Sequence, residues 1–135
     1  MTAYYVDTSV LLHAILQDDG GAAHRWLAGL GPSHEVIASA VVRLETIRVF
    51  VRQNQDPAPA LPYLRHLTLL RIDDQILHEA ERLLRPLRSL DAIHLVTALR
   101  VPGAVMVTHD ARLAAAARAE GLAVLDPVGA TGQPR

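Results

Sequence analysis

The sequence predicts an α/β domain, a central and mostly parallel sheet of about five strands flanked by helices. Three observations predict it. Short apolar runs such as Tyr4-Tyr5-Val6, Val105-Met106-Val107 and Val124-Leu125 are continuous rather than alternating, as in strands covered on both faces. Helical spacing lies between them, as in Ile76, Leu77, Ala80, Leu83 and Leu84, which follow an i, i+3, i+4 pattern. Glycine, proline and aspartate clusters separate the two kinds of segment. Aromatic residues make up only 4 % of the chain, so the core is built from Leu, Val, Ile and Ala.

Ala3 to Val6 is the first strand and ends at Asp7. Thr8-Ser9 offers an N-cap for a helix through about Leu16, and Asp18-Asp19-Gly20-Gly21 is a turn. A second helix runs from about Ala22 to Leu30, with Trp26 and Leu27 inward, until Gly31-Pro32 stops it. Glu35 to Ala38 is the second strand. Ser39 then caps a helix of about Ala40 to Gln53. A loop rich in Pro, Ala and Gln leads to a short helix near Leu61 to Leu67. Leu67 to Ile72 is the third strand, and Asp73-Asp74 start a helix that Pro86 breaks. Ser89 caps an apolar helix, Leu90 to Leu99, closed by Pro102-Gly103. Ala104 to Val107 is the fourth strand, Ala111 to Glu120 a helix with Gly121 as its C-cap, and Leu122 to Leu125 the fifth strand. Residues 1–127 form one domain on this reading, and 128–135, with Gly, Thr, Gln and Pro, a flexible tail.

Composition narrows the chemistry. The 135 residues contain no cysteine, which excludes disulfides, zinc–thiolate sites and thiol nucleophiles. No apolar run is long enough to span a membrane, and the first residues lead into a strand without a basic leader, so a cytoplasmic protein is expected. Thirteen basic residues, all arginine, face fourteen acidic ones, so the net charge of −1 does not mark a strongly basic nucleic-acid binder.

Four acids stand out because they sit on otherwise apolar elements: Asp7, Glu45, Asp91 and Asp110. In open parallel sheets ligands bind beyond the carboxyl ends of the strands. Asp7 ends the first strand and Asp110 follows the fourth, while Asp91 lies in the first turn of its helix and Glu45 within the helix after the second strand. Each also has a plain structural role: helix cap for Asp7 and Asp110, first-turn acid for Asp91, solvated surface for Glu45. Asp73-Asp74 are assigned the plain role. Together the four demand a cation, since two carboxylates about 4 Å apart repel by about 1 kcal/mol even in water. Oxygen-only ligation fits Mg²⁺ or Mn²⁺, and a metal held by carboxylates points to phosphodiester hydrolysis.

Those residues carry a family resemblance. Tyr5-Val6-Asp7-Thr8-Ser9, Leu44-Glu45, Leu90-Asp91-Ala92-Ile93-His94-Leu95 and Val107-Thr108-His109-Asp110-Ala111-Arg112-Leu113 resemble, in order, the acidic motifs of the PIN-domain ribonucleases. The closing Gly121-Leu122 and Asp126-Pro127 also resemble that family, and the length resembles its VapC toxins. The resemblance implies a PIN-like three-layer sandwich and an endoribonuclease dependent on Mg²⁺ or Mn²⁺. It implies Asp7, Glu45, Asp91 and Asp110 as catalytic, metal-binding acids, with Thr108, Thr8 and Ser9 in support; capping remains open for Thr8 and Ser9. It further implies a homodimer, a small VapB-type antitoxin and an RNA substrate such as tRNA or rRNA. Arg43, Arg48, Arg88 and Arg112 are candidate phosphate contacts. His94 and His109 adjoin the motifs and are assigned packing or surface roles.

Three alternatives compete. A non-catalytic PIN-like binding module would tolerate loss of an acid, and all four are present. A phosphotransferase with Asp7 as nucleophile wants an acid where Ser9 stands. A flap-type DNA nuclease needs added helices for which the chain has no room. On the favoured reading, Asp7→Asn or Asp91→Asn abolishes cleavage with little loss of folding.

Overall fold

The computed structural model describes residues 2–129. Five strands form one sheet: β1 (Thr2–Val6), β2 (His34–Ser39), β3 (Thr68–Leu70), β4 (Val105–Val107) and β5 (Ala123–Leu125). Their order is β3-β2-β1-β4-β5 and every pairing is parallel. The chain thus builds outward from β1 on one side, then crosses to the other side for β4 and β5. That reversal leaves a crevice beyond the carboxyl ends of β1 and β4, where α/β sheets bind ligands.

Seven α-helices flank the sheet: α1 (Thr8–Leu16), α2 (Ala22–Ala28), α3 (Val41–Arg52), α4 (Leu61–Arg65), α5 (Asp74–Arg82), α6 (Ser89–Leu99) and α7 (Ala111–Ala119). Strand side chains alternate between the two faces. Val6, Ala38 and Val107 point to one layer, with Val10, Leu11, Ala23, Val42 and Leu64. Tyr5, Ile37 and Met106 point to the other, with Leu95, Ala98, Leu113 and Ala117 from α6 and α7. Leu, Val and Ala dominate both layers, as the low aromatic content requires. No helix among the described residues is long and apolar enough to cross a membrane.

The element order is the expected one, and the differences lie in the caps and ends. Asp7, not Thr8 or Ser9, is the N-cap of α1: its backbone is extended and its side chain accepts from the Val10 N–H. Ser89 is the first residue of α6 rather than its cap, and Arg88 at the cap position makes no side-chain bond. α5 stops at Arg82, with Leu83 already extended, ahead of Pro86, whose ring disfavours helix in the residue before it. β3 is only three residues long, Thr68–Leu70, shorter than the expected Leu67 to Ile72. α7 ends as expected where Gly121 takes φ +91°, a backbone state closed to most side chains. Order also continues past residue 127: Val128 is buried in the core, and the Gly129 N–H donates to Asp19 Oδ2 at 3.0 Å. The rest of the expected tail, 130–135, lies outside the described residues.

Candidate active site

Asp7 lies at the carboxyl end of β1 and is only 3 % exposed. The strand continues its pairing by one bond past β1, from the Asp7 N–H to the Val107 carbonyl at 3.1 Å, so the residue is fixed against β4. Its Oδ1 accepts from Ser9 Oγ at 2.6 Å and from the Val10 N–H at 3.3 Å. Its Oδ2 accepts from Thr108 Oγ1 at 2.6 Å. Burial pushes the carboxyl above the usual range even though the Ser9 and Thr108 hydroxyls pull the other way. A buried acid in that state favours either a proton or a cation.

Thr108 links two of the acids. While donating to Asp7, its hydroxyl accepts from the Asp110 N–H at 3.0 Å. Asp110 caps α7, with Oδ1 taking the N–H groups of Arg112 at 2.8 Å and Leu113 at 3.1 Å. The plain reading of Asp110 therefore holds for one oxygen and leaves the other available.

Glu45 lies on α3, and one of its oxygens is heavily used. Oε1 accepts from Thr8 Oγ1 at 2.9 Å and pairs with His94 Nε2 at 2.8 Å. It is thus drawn inward rather than solvated, with its side chain 21 % exposed. Asp91, in the first turn of α6, is half-buried and its carboxylate accepts no hydrogen bond from the described residues. Burial raises its pKa and the charge of Asp110 raises it further; His94 opposes the rise, and Asp7 and Glu45 add smaller increments to it. Carboxylates from three other, distant segments thus act on Asp91.

The donor chemistry fits a hard divalent cation: oxygen ligands only, mutually repelling, at the mouth of a parallel sheet. Among the described residues no three His, Asp or Glu side chains are arranged to hold one ion together, so the carboxylates would have to draw in to bind it. A cavity of about 730 Å³ lies elsewhere, lined by His24, Tyr63, His66 and their neighbours at the start of β2, and none of the four acids borders it.

The four arginines singled out in the sequence are all exposed, and none forms an ion pair among the described residues. Arg88 immediately precedes α6 and Arg112 is in the first turn of α7, so each adjoins an acid-bearing helix start. His109 pairs through Nδ1 with Asp126 Oδ2 at 2.9 Å and stacks edge-on against His13, matching its surface assignment. His94 is different. It is 1 % exposed and joins Tyr5 to Glu45, a connection that the packing role assigned from sequence did not include. Two spacings carried the signal: Tyr5 is two residues before Asp7 on one strand face, and His94 one helical turn after Asp91.

Thr108→Val removes the hydroxyl at nearly constant volume. It leaves the Asp110 N–H without its acceptor and Asp7 without a donor, at an expected cost of about 1–3 kcal/mol. Urea unfolding should show a lower midpoint for Thr108→Val and near wild-type behaviour for Thr108→Ser. Equal midpoints for Val and wild type would remove Thr108 from this network.

Residues 4–119 match the model of the PIN domain. Ribonuclease VapC46 of Mycobacterium tuberculosis is 36 % identical over 132 residues, 94 % of this chain and 99 % of that protein. Ribonuclease VapC35 of the same species is 36 % identical over 130 residues, 91 % of this chain and 96 % of that protein. Among solved structures, VapBC2 from Rickettsia felis, bound to a DNA fragment from its promoter, superposes with a TM-score of 0.72 at 15 % identity, covering 93 % of this chain and 98 % of that one. A toxin–antitoxin complex from Klebsiella pneumoniae gives a TM-score of 0.68 at 19 % identity, covering 92 % and 97 %. With its all-parallel sheet, its four separated acids and relatives this similar over nearly their whole length, the chain belongs to the PIN domain family, in its VapC branch.

Proposed function

We propose that this protein is a metal-dependent endoribonuclease and the toxin half of a toxin–antitoxin pair. One observation carries the reading: acids from three distant segments act on the half-buried Asp91, which burial first and then their charges raise. The ribonuclease names of the VapC relatives supply the substrate class. The toxin–antitoxin neighbours support a small VapB-type antitoxin as partner. A homodimer, a cytoplasmic location and a single functional unit complete the proposal.

Asp7, Glu45, Asp91 and Asp110 would hold Mg²⁺ or Mn²⁺. When bound, such an ion polarises a phosphoryl oxygen and lowers the pKa of an attacking water. The chain's own residues do the rest. Thr108 and Ser9 hold the Asp7 carboxylate in one orientation, and Thr8 does the same for Glu45. The exposed Arg43, Arg48, Arg88 and Arg112 take phosphates on either side of the scissile bond. Single-stranded loops of tRNA or rRNA suit such a site, because their bases are splayed and their backbone is accessible.

One observation favours the second reading, a non-catalytic binding module: no three of the acids stand ready around one ion. Incubating total RNA with the purified, antitoxin-free protein in Mg²⁺, Mn²⁺ or EDTA separates the two. Discrete fragments with metal and none with EDTA are expected. Intact RNA under all three conditions, from well-folded protein, would favour the binding module.

A further inference from the structure

Beneath the four acids runs a line of buried polar groups. The Ser39 N–H donates to Tyr5 Oη at 3.1 Å, Tyr5 Oη meets His94 Nδ1 at 2.7 Å, and His94 Nε2 meets Glu45 Oε1 at 2.8 Å. Tyr5 and Ser39 are fully buried and His94 is 1 % exposed, so water does not substitute for any member. The three side chains come from β1, α6 and α3, elements that also carry Asp7, Asp91 and Glu45.

With His94 a neutral imidazole, donor and acceptor matching sets the direction of each bond. A carboxylate only accepts, so His94 Nε2 carries the proton that reaches Glu45. A neutral imidazole then has Nδ1 as acceptor, and the proton on that bond belongs to the Tyr5 hydroxyl. Tyr5 Oη accepts from the backbone N–H of Ser39 and keeps its own proton to donate, with the Thr97 hydroxyl as a further neighbour of the phenol. The phenol keeps its proton, since burial pushes its pKa far above the usual range. The chain of bonds therefore reads Ser39 N–H to Tyr5, Tyr5 O–H to His94 Nδ1, and His94 Nε2–H to Glu45.

Resting on the nuclease reading, we infer that Tyr5 and His94 are positioning residues: Tyr5 sets the tautomer of His94, and His94 with Thr8 occupies Glu45 Oε1 so that Oε2 alone remains for a divalent cation. Glu45 depends on such help more than Asp7 and Asp110 do. Asp7 and Asp110 are anchored by backbone N–H groups of their own helices. Glu45 is within a helix, has a longer side chain, and is held only by Thr8 and His94. Partners that orient ligating groups in this way affect metal affinity by about 10–100-fold when removed.

The test uses Mn²⁺ titrations of the full chain, followed by electron paramagnetic resonance, on wild type, His94→Gln and His94→Asn, with RNA cleavage alongside. A Gln amide places an N–H near the original Nε2 and keeps the bond to Glu45; an Asn amide reaches only the Nδ1 position. The Mn²⁺ dissociation constant should rise about tenfold or more in His94→Asn and stay within about threefold of wild type in His94→Gln. Nitrogen-15 spectra of the histidines should show His94 protonated at Nε2 in wild type, and a mixture of tautomers in Tyr5→Phe. Equal Mn²⁺ affinity in all three proteins, equal loss in both variants, or a wild-type His94 protonated at Nδ1 would each overturn the inference while metal-dependent cleavage stands. A wild-type protein that binds no Mn²⁺ and cuts no RNA would overturn the nuclease reading and this inference together.

Discussion

Asp91→Asn is expected to lower RNA cleavage by about a thousandfold while leaving the metal-free protein at least as stable as wild type. A cation held by carboxylates supplies several kcal/mol of transition-state stabilisation, and about 4 kcal/mol is a factor of a thousand. The stability side follows from what Asp91 does not do. Its carboxylate accepts no hydrogen bond from the described residues, so an isosteric amide breaks none. Burial and the charges of Asp110, Asp7 and Glu45 disfavour its ionised form more than His94 favours it, and the amide carries no charge to be disfavoured. The position in the first turn of α6 offsets part of this through the helix dipole. Melting curves in EDTA beside cleavage assays check both halves. A variant that melts well below wild type yet still cleaves would overturn the assignment. Asp7→Asn is the less clean experiment, contrary to the sequence-based expectation for it. Asp7 accepts from Ser9, Val10 and Thr108, and an amide must turn its NH₂ toward one of these donors, so that variant should lose stability as well as activity.

The layers of the fold were legible because burial on both faces leaves a simple trace: continuous apolar strands between helices of 3.6-residue period. The strand order was not, since nothing in β4 itself says that it returns to lie beside β1. Caps were legible as clusters and not as individuals. Asp7, Thr8 and Ser9 all suit an N-terminus, and the choice of Asp7 depends on where the strand lets go, which pairing with Val107 decides. The acids were legible as exceptions to an apolar pattern. Tyr5 and His94 were hidden for the opposite reason: an aromatic ring and an imidazole on buried faces look like packing, and their polar atoms meet only across 89 residues of sequence. Thr108 lay between these cases. Its place before Asp110 was visible, while its bond to Asp7 required the β1–β4 register.

Adding Mn²⁺ at about 100 times its dissociation constant should raise the melting temperature at neutral pH by about 10 °C, and by almost nothing near pH 4. Ligand at that excess contributes about 2.7 kcal/mol, and each kcal/mol moves the midpoint of a chain this size by roughly 4 °C. The pH dependence follows from the direction of the shifts. Asp7 and Asp91 both have folded pKa values raised above the unfolded one of about 3.9. Between those values the folded chain holds protons that the unfolded chain has released, so metal-free stability falls as pH rises through the folded pKa values. Asp19 and Asp73 work against this trend. Burial opposes it, yet N–H bonds from Gly129, Ala23 and Gly21 lower Asp19. The Ile76 N–H and the Arg100 charge lower Asp73. Both add stability that is lost on acidification. The raw melting curve therefore mixes opposite slopes, and the difference between wild type and Asp91→Asn isolates the site. In EDTA the wild type should fall further behind the variant as pH rises from about 4 to 7. With Mn²⁺ the order should reverse, because the same repulsion that destabilises the empty carboxylates is what the cation relieves. A gap that stays constant with pH, or an Mn²⁺ effect equally large in Asp91→Asn, would place the cation somewhere other than at these acids.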